Sequence, residues 1–396
     1  MPRPLDGLRV VDLSSVLAGP YCSYQLALLG AEVIKVERPG SGDWARGLVD
    51  DPGSDGMNPQ FLAQNADKHS VTIDLKDARG LALVKRLAAG ADVFIENFTP
   101  GTAQRLGLGY AALVAANPRL VYCSISGYGQ DGPFSQRPAY DHVIQAMSGV
   151  MSVTGTEETV PNRIGPPMID YITGIYAAFA VLAALRERER SGAAQHVDVA
   201  MLDCAIAAMA SFVSAAVNGG IVPRPVGNVA ASGSPASGVF RTKAGDLSLA
   251  ANHEGQVRAL LAAVGREDLL ADPRYAEPTV RRRNAAAFRA EIANILSART
   301  ADEWENLLAA AHVPAARVRT ILEILAEPQV AARNLLAEVA SGERSLRLST
   351  IGFKLNGEAP GPRVAPSRLG ADTDAVLAAL GMSGEEIAAL RAGGVI

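Results

Sequence analysis

Residues 8–37 read LRVVDLSSVLAGPYCSYQLALLGAEVIKVE. LRVVDL and AEVIKVE are apolar runs of strand length rich in branched residues, and YCSYQLALLG between them has the apolar spacing of a helix entered through the turn LAGP. Strand, helix and strand within so short a span make a βαβ unit. The alternation continues outward through VTIDLK (71–76), a helix from about Arg79 to Ala89, ADVFIENF (91–98), a helix near Ala111, and RLVYCSIS (119–126). Such alternation predicts an α/β, Rossmann-like domain built on a parallel sheet with helices on both faces.

Beyond this domain lies GIVPRPVGNVAASGSPASG (220–238), dense in Gly, Pro, Ser and Ala, which reads as a crossing segment between domains. A short hairpin in GVFRTKAGDLSLAA follows, then amphipathic helices in EGQVRALLAAVG, RNAAAFRAEIANILSA and TADEWENLLAAAHV, so a smaller α+β unit is expected. NGEAPGPRVAPSRLG (356–370) is a second polar, Pro-rich passage, before a last helix opened by a capping box of Ser383 and Glu386. The expected domains are 1–220, a small domain over 221–335, and a return segment over 336–396 that completes the large domain.

The chain has 396 residues, 48% of them hydrophobic, enough for two domains, and 37 Lys plus Arg against 41 Asp plus Glu leave a net charge of −4. That balance argues against nucleic acid and anionic membrane as partners. Cys22, Cys123 and Cys204 form no CxxC pair, and MPRPLDGLRVVDL lacks the features of a signal peptide, so a cytoplasmic location is expected. The uncharged stretch from Tyr171 to Leu185 is short for a bilayer span and is followed by charged residues from Arg186 to Arg190, so it reads as a buried helix.

Several chemistries fail on spacing. Glu37 ends the second strand, as an acid does in dinucleotide folds, but SSVLAGPYCS (14–23) has one glycine where GxGxxG needs three. No GxxxxGK[ST] loop is present, the five histidines (His69, His142, His196, His253, His312) are scattered, so no metal site is expected, and SISGYGQ lacks the first glycine of GxSxG. The loop GYGQDGP (127–133) falls at the C-terminal edge of a strand, where open parallel sheets bind ligands. In RIGPPMIDYITGIYAAFAVLAAL (163–185), Asp170 stands alone between two prolines and fifteen uncharged residues. Taken by itself an acid there is an ordinary helix N-cap; it is also a place where helix amides and dry surroundings can hold a reactive carboxylate.

These segments together resemble the class III CoA-transferases, the CaiB/BaiF group. The resemblance is carried by LDGLRVVDLSSVLAGPYCSYQLALLGAEVIKVERPGSGDWARG, DKHSVTIDLK, ADVFIENFTPGTAQRLGLGY, NPRLVYCSISGYGQDGP and the Asp170 segment, and it extends through VPAARVRTILEILAEPQVAARNLL to LGMSGEEIAALRAGGVI. It implies an interlocked homodimer, a coenzyme A thioester as substrate with no tightly bound cofactor, a carboxylic acid as second substrate, and Asp170 as the nucleophile. It also implies CoA contacts at Val16, Arg38, Ile73, Lys76, Asn97, Phe98 and Arg105. Of these, Arg38, Lys76 and Arg105 are cations able to converge on phosphates. Leu17 stands where some relatives have glutamine. A carboxylate nucleophile suits CoA transfer because it stores the thioester's free energy in acyl intermediates, provided water is excluded. Glycine-rich loops with free amides are the expected oxyanion donors.

Related α-methylacyl-CoA racemases share the first hundred residues and use a histidine before the aspartate in the segment that here reads PAYDHVIQAMSG, with Tyr140 before Asp141. Tyr140 is thus the second candidate catalytic residue, but a tyrosine, with an ordinary pKa near 10, is a poor base at neutral pH. His142, two residues along a helix, would point roughly 200° away. The expectation is therefore a transferase, with racemase and non-catalytic CoA-binding protein as alternatives. Its substrates are expected to be succinyl-CoA and a short dicarboxylate such as itaconate, mesaconate or citramalate. Arg46, Arg137 and Arg163 are the arginines in the motif-bearing loops that could fork a distal carboxylate.

Overall fold

The computed structural model describes residues 3–48, 57–230 and 232–396. Contacts divide the chain into two compact units, one of Met1–Val150, Arg163–Ile221 and Pro328–Ile396, the other of Met151–Asn162 and Val222–Glu327. Residues 328–335, expected in the small domain, thus fall in the first unit, and a short piece after Val150 falls in the second.

The first unit is built on six parallel strands, β1 (Arg9–Asp12), β2 (Glu32–Glu37), β3 (Lys68–Thr72), β4 (Val93–Glu96), β5 (Val121–Ser126) and β6 (Gln195–Ala200). Their order is β3-β2-β1-β4-β5-β6, a Rossmann-like arrangement whose connections reverse direction between β1 and β4. Successive residues serve opposite faces, as strand geometry requires. Val10, Val33, Val93 and Ile95 pack with helices α1 (Ala18–Leu28) and α4 on one face, α2 to α4 being Ala78–Ala89, Asp141–Met147 and Met168–Ser191. Val11, Ile34, Val36 and Phe94 pack with Leu83, Val84 and Leu87 of α2 on the other.

Two strands depart from the expected pattern. β3 begins at Lys68 and ends at Thr72, so Ile73 to Lys76, read as strand, form the loop beyond it. Lys68 and Ser70 look like loop residues by polarity, yet both are buried because charged partners await them inside. β6 was not foreseen; as an edge strand it alternates exposure, and Gln195, His196 and Asp198 mask its apolar positions.

Helix α4 is 24 residues long and apolar enough, by length and composition, to cross a bilayer, which corrects the shorter span expected from sequence. Ile169, Thr173, Gly174, Ala177, Val181, Ala184 and Leu185 give it one buried face against α1, β5 and β6, the environment of a core helix. Gly174 is required by this packing, since a Cβ there would lie 2.8 Å from the Ala18 carbonyl oxygen.

The second unit holds an antiparallel sheet of β7 (Ser237–Arg241), β8 (Asp246–Ala250) and β9 (Ala315–Arg317), covered by helices that include Glu254–Ala263, Ala285–Leu296 and Ala301–Ala310. The hairpin and these helices lie where sequence placed them, and Phe240, Leu260, Phe288 and Trp304 form their core. In the first unit the helix Gly384–Ala392 opens with the expected box: the Glu386 amide donates to Ser383 Oγ at 3.2 Å and the Ser383 amide to Glu386 Oε2 at 2.7 Å.

Candidate active site

The C-terminal ends of β1, β2 and β3 and the loops after them enclose a cleft of about 400 Å³. Arg38, Ile73, Lys76 and Phe98 line it, four of the seven residues implied as CoA contacts, together with Ser14, Ser15 and Trp44. Arg38 and Lys76 are exposed cations, so their charge is available to an anionic ligand. Arg105 is exposed, donates to Thr102 Oγ1 at 2.7 Å, and is not among the lining residues.

Val16 and Asn97 shape the loop between β1 and α1. Val16 has φ 71, a costly conformation for a β-branched residue, and two hydrogen bonds hold it there. Its N–H donates to Asp43 Oδ1 at 2.9 Å and its carbonyl accepts from Gln64 Nε2 at 2.5 Å. Next to it, Asn97 clamps Ser15: Oδ1 accepts from the Ser15 amide at 3.0 Å and Nδ2 donates to the Ser15 carbonyl at 2.9 Å. Leu17 is buried.

Beneath the loop lies a buried charge network that sequence did not reveal. Lys35 Nζ, on β2, contacts Asp43 Oδ2 at 2.9 Å and donates to the Ser14 carbonyl at 2.8 Å. Lys68 reaches Asp12 Oδ2 at 3.4 Å and the Pro20 carbonyl at 2.7 Å, and Asp12 also accepts from the hydroxyls of Ser14 and Ser23. Burial pushes the Lys68 ammonium down to about 7, against the pull of Asp12. For Lys35, burial is outweighed by Asp43, Asp12 and Glu37, and its pKa rises. Glu37, the acid that ends the second strand as one does in dinucleotide folds, is buried and bidentate with Arg46 at 2.7 and 2.8 Å. Neither is free for substrate, which removes Arg46 from the arginines that could fork a distal carboxylate.

Asp170 occupies the third position of α4, not its N-cap, which is Pro167. The expectation that the helix amides hold its carboxylate is corrected. Those amides go elsewhere: Met168 donates to the Pro166 carbonyl at 2.8 Å, and Ile169 and Asp170 donate to Asp141 Oδ2 at 2.8 and 3.2 Å. Asp141, buried at the start of α3, is in turn fixed by Gln145 Nε2 at 2.6 Å, and Gln145 Oε1 accepts from the Ile164 amide at 2.8 Å. Burial, and then the Asp141 charge, push the Asp170 carboxyl up to about 7. Its proton is therefore held well above the ordinary carboxylate range. Tyr21 and Tyr171 meet edge to face at 4.8 Å, and with Gly174 against Ala18 they seat the first turns of α4 on the start of α1.

Tyr140 precedes α3 in extended conformation and is 56% exposed, with its ring 6.4 Å from Trp44 and 6.3 Å from His142. The helical spacing that would turn His142 away does not apply, because Tyr140 lies outside the helix; the two rings stand parallel to within 5°. In this segment it is Asp141 whose carboxylate meets the start of Asp170's helix. In the sequence Asp141 stands only as the acid after Tyr140, with no local sign of its partner. In the loop GYGQDGP the amides of Gly129 and Gln130 are bound to Ser126 Oγ at 2.9 Å and Asp198 Oδ2 at 3.0 Å, so neither is the free oxyanion donor expected there.

Fold and site place the molecule among α/β proteins that take a ligand across the carboxyl ends of a parallel sheet. The chain belongs to CoA-transferase family III, the CaiB/BaiF group, matching it over residues 5–373, and is accordingly a CoA-transferase acting on CoA thioesters. It is 39% identical to the succinate–glutarate CoA-transferase of Agrobacterium fabrum over 346 residues, 85% of each chain. The succinyl-CoA–D-citramalate CoA-transferase of Chloroflexus aurantiacus is 36% identical over 343 residues, covering 85% of this chain and 84% of that one. A crystal structure of a CaiB/BaiF family protein from Brucella suis matches with TM-score 0.85 at 33% identity, over 96% of this chain and all of that one.

Proposed function

We propose that the enzyme moves CoA from succinyl-CoA to a short dicarboxylic acid of the glutarate, citramalate, mesaconate or itaconate type, through acylation of Asp170. The observation that carries the reading is a largely buried, uncapped carboxyl group whose ionisation falls near neutral pH. The names of the two curated relatives support the substrate class. In the cycle, an Asp170 oxygen attacks the succinyl carbonyl, the C–S bond breaks, and a mixed anhydride and CoA thiolate result. The thiolate attacks the Asp170 carbonyl, the anhydride C–O bond breaks, and succinate leaves an aspartyl-CoA thioester. The acceptor carboxylate attacks that thioester, expelling thiolate, which then takes the acceptor's acyl carbon and restores the Asp170 carboxylate.

In this reading Arg38 and Lys76 meet the CoA phosphates in the cleft. R38A/K76A is expected to raise KM for succinyl-CoA about tenfold or more with kcat within about threefold, because the contact is made equally before and during the chemistry. Arg137, stacked on Phe134, and Arg163, donating to the Gly165 carbonyl at 2.9 Å, remain as partners for a distal carboxylate. Transfer rates from succinyl-CoA across matched mono- and dicarboxylic acids test the substrate class. Dicarboxylates are expected to lead; equal use of propionate or formate would end the dicarboxylate reading.

The same proposal includes a homodimer. Ile175 and Phe179 of α4 are 52% and 67% exposed, and in the helix Ala210–Gly219 Phe212 and Val217 are 40% and 78% exposed, apolar side chains that a subunit interface would cover. Light scattering should return twice the 41.2 kDa of one chain, and a value near one chain would refute it.

A further inference from the structure

A carboxylate in the first turn of a helix is ordinarily held by the free amides there, a Glu or Gln at the third position reaching back to the amide of the N-cap residue. Asp170 has no such amide to reach. The N-cap is Pro167 and the residue before it is Pro166, neither with an N–H, and the amides of Met168, Ile169 and Asp170 are taken by Pro166 and Asp141. Every donor of the first turn that could quench the Asp170 carboxylate is thus deleted or occupied. Asp141 does not act as a loose neighbour: it is buried, belongs to another helix, and is braced by Gln145, which also ties down the Ile164 amide.

Resting on the proposed role of Asp170 as nucleophile, we propose that Asp141 is its positioning residue. By capping α4 from outside, Asp141 keeps the Asp170 carboxylate off the helix amides and free to attack. A carboxylate with no hydrogen-bond donors is a stronger nucleophile than a capped one, because a donor stabilises the charge that must be spent in forming the new bond. The adjacent negative charge acts in the same sense. The titratable groups on the elements packed against α4 are Tyr21, Cys22 and Tyr24 on α1, Tyr122 and Cys123 on β5, and His196 and Asp198 on β6. The helix Met201–Ala208 adds Asp203 and Cys204, and α3 adds Asp141 and His142. Of these, Asp141 is the one whose charge bears on Asp170.

The test follows the Asp170 carboxyl itself, by infrared difference titration of each protein against the same protein carrying D170N, alongside pH profiles of the exchange of labelled succinate into succinyl-CoA. In D141N the Asp170 midpoint is expected to fall by about one unit, with the acid limb of kcat/KM moving with it and the plateau dropping about three- to tenfold at unchanged KM. P167A removes no buried charge and returns an amide to the N-cap; it should lower the midpoint and the plateau in the same direction, and it serves if D141N folds poorly. D141E is expected to recover part of the plateau. An Asp170 midpoint and exchange rate that stay at wild-type values in both D141N and P167A would overturn the proposal. Exchange that persists in D170N would instead remove Asp170 as nucleophile, a separate failure, since the infrared midpoint would still report whether Asp141 controls that carboxyl.

Discussion

Replacing Asp170 by asparagine is expected to abolish CoA transfer, by a factor on the order of 10⁴ or more, while leaving succinyl-CoA binding intact and the fold more stable. The loss follows from the chemistry: asparagine cannot form the anhydride, and the neighbouring carboxylate of Asp141 is committed to the amides of Ile169 and Asp170. The gain in stability follows from the carboxyl's pKa of about 7. In the unfolded chain the same group releases its proton near 4, so between about pH 4 and 7 the folded state holds a proton that the unfolded state has lost. Stability contributed by the wild-type group therefore falls as pH rises across that window and stays low above it. D170N escapes this and should be more stable than wild type by on the order of 2 kcal/mol at pH 8, allowing for partial solvation, with the difference vanishing below about pH 4. Denaturation midpoints at pH 4 and pH 8, with mass-spectrometric trapping of the aspartyl adduct by hydroxylamine, check both halves. Adduct formed at another residue, or a D170N protein less stable than wild type at pH 8, would contradict the assignment.

The same comparison shows what a one-dimensional pattern can carry. Four of the six parallel strands, β1, β2, β4 and β5, were legible because strands buried on both faces are near-continuous apolar runs, as in EVIKVE and VFIE. Helix ends marked by local chemistry were legible too, because Ser383 and Glu386 satisfy each other within one turn. Partners brought together over long separations were not. Asp141 and Asp170 are 29 residues apart, and nothing local to either says that one caps the other's helix. Glu37 looked like a ligand acid, and Arg46 like a substrate fork, until the fold showed them spent on each other. The strand read as VTIDLK left Lys68 outside it, since an isolated lysine is almost never buried; the carboxylate of Asp12, the carbonyl of Pro20 and the side-chain oxygen of Asn65 make its burial tolerable. The sequence therefore named Asp170 and four residues that line the cleft, and gave no sign of the polar groups that hold them in place.

That hidden network sets the second large effect. Lys35→Met is expected to destabilise the enzyme by roughly 3–5 kcal/mol, because it leaves the buried Asp43 carboxylate without its cation rather than removing a pair. Asp43 cannot turn to water for help: Oδ1 is engaged by the amides of Val16 and Ala45, and the group sits under the loop it supports. Burial by itself raises the Asp43 pKa, and it is the Lys35 charge, with hydrogen bonds from Lys35, Ala45 and Val16, that brings it below the ordinary value. In wild type this depressed carboxyl contributes stability that is present above about pH 4 and is lost as pH falls through the folded-state pKa. In K35M burial prevails, the carboxyl titrates above its unfolded value, and its charge becomes a cost that grows with pH. The gap between the two proteins should thus widen from about pH 4 upward. K35M/D43N removes the orphaned charge while the asparagine oxygen still accepts the Val16 and Ala45 amides, so it should recover more than half of the loss. Because Val16 is held at φ 71 by that contact, K35M should also raise KM for succinyl-CoA, and the double variant should bring it back. Urea denaturation of the three proteins at two pH values decides the matter. A K35M cost below about 1 kcal/mol, or a gap that narrows as pH rises, would mean that Asp43 is neutral in the folded enzyme and that the loop is held by hydrogen bonds alone.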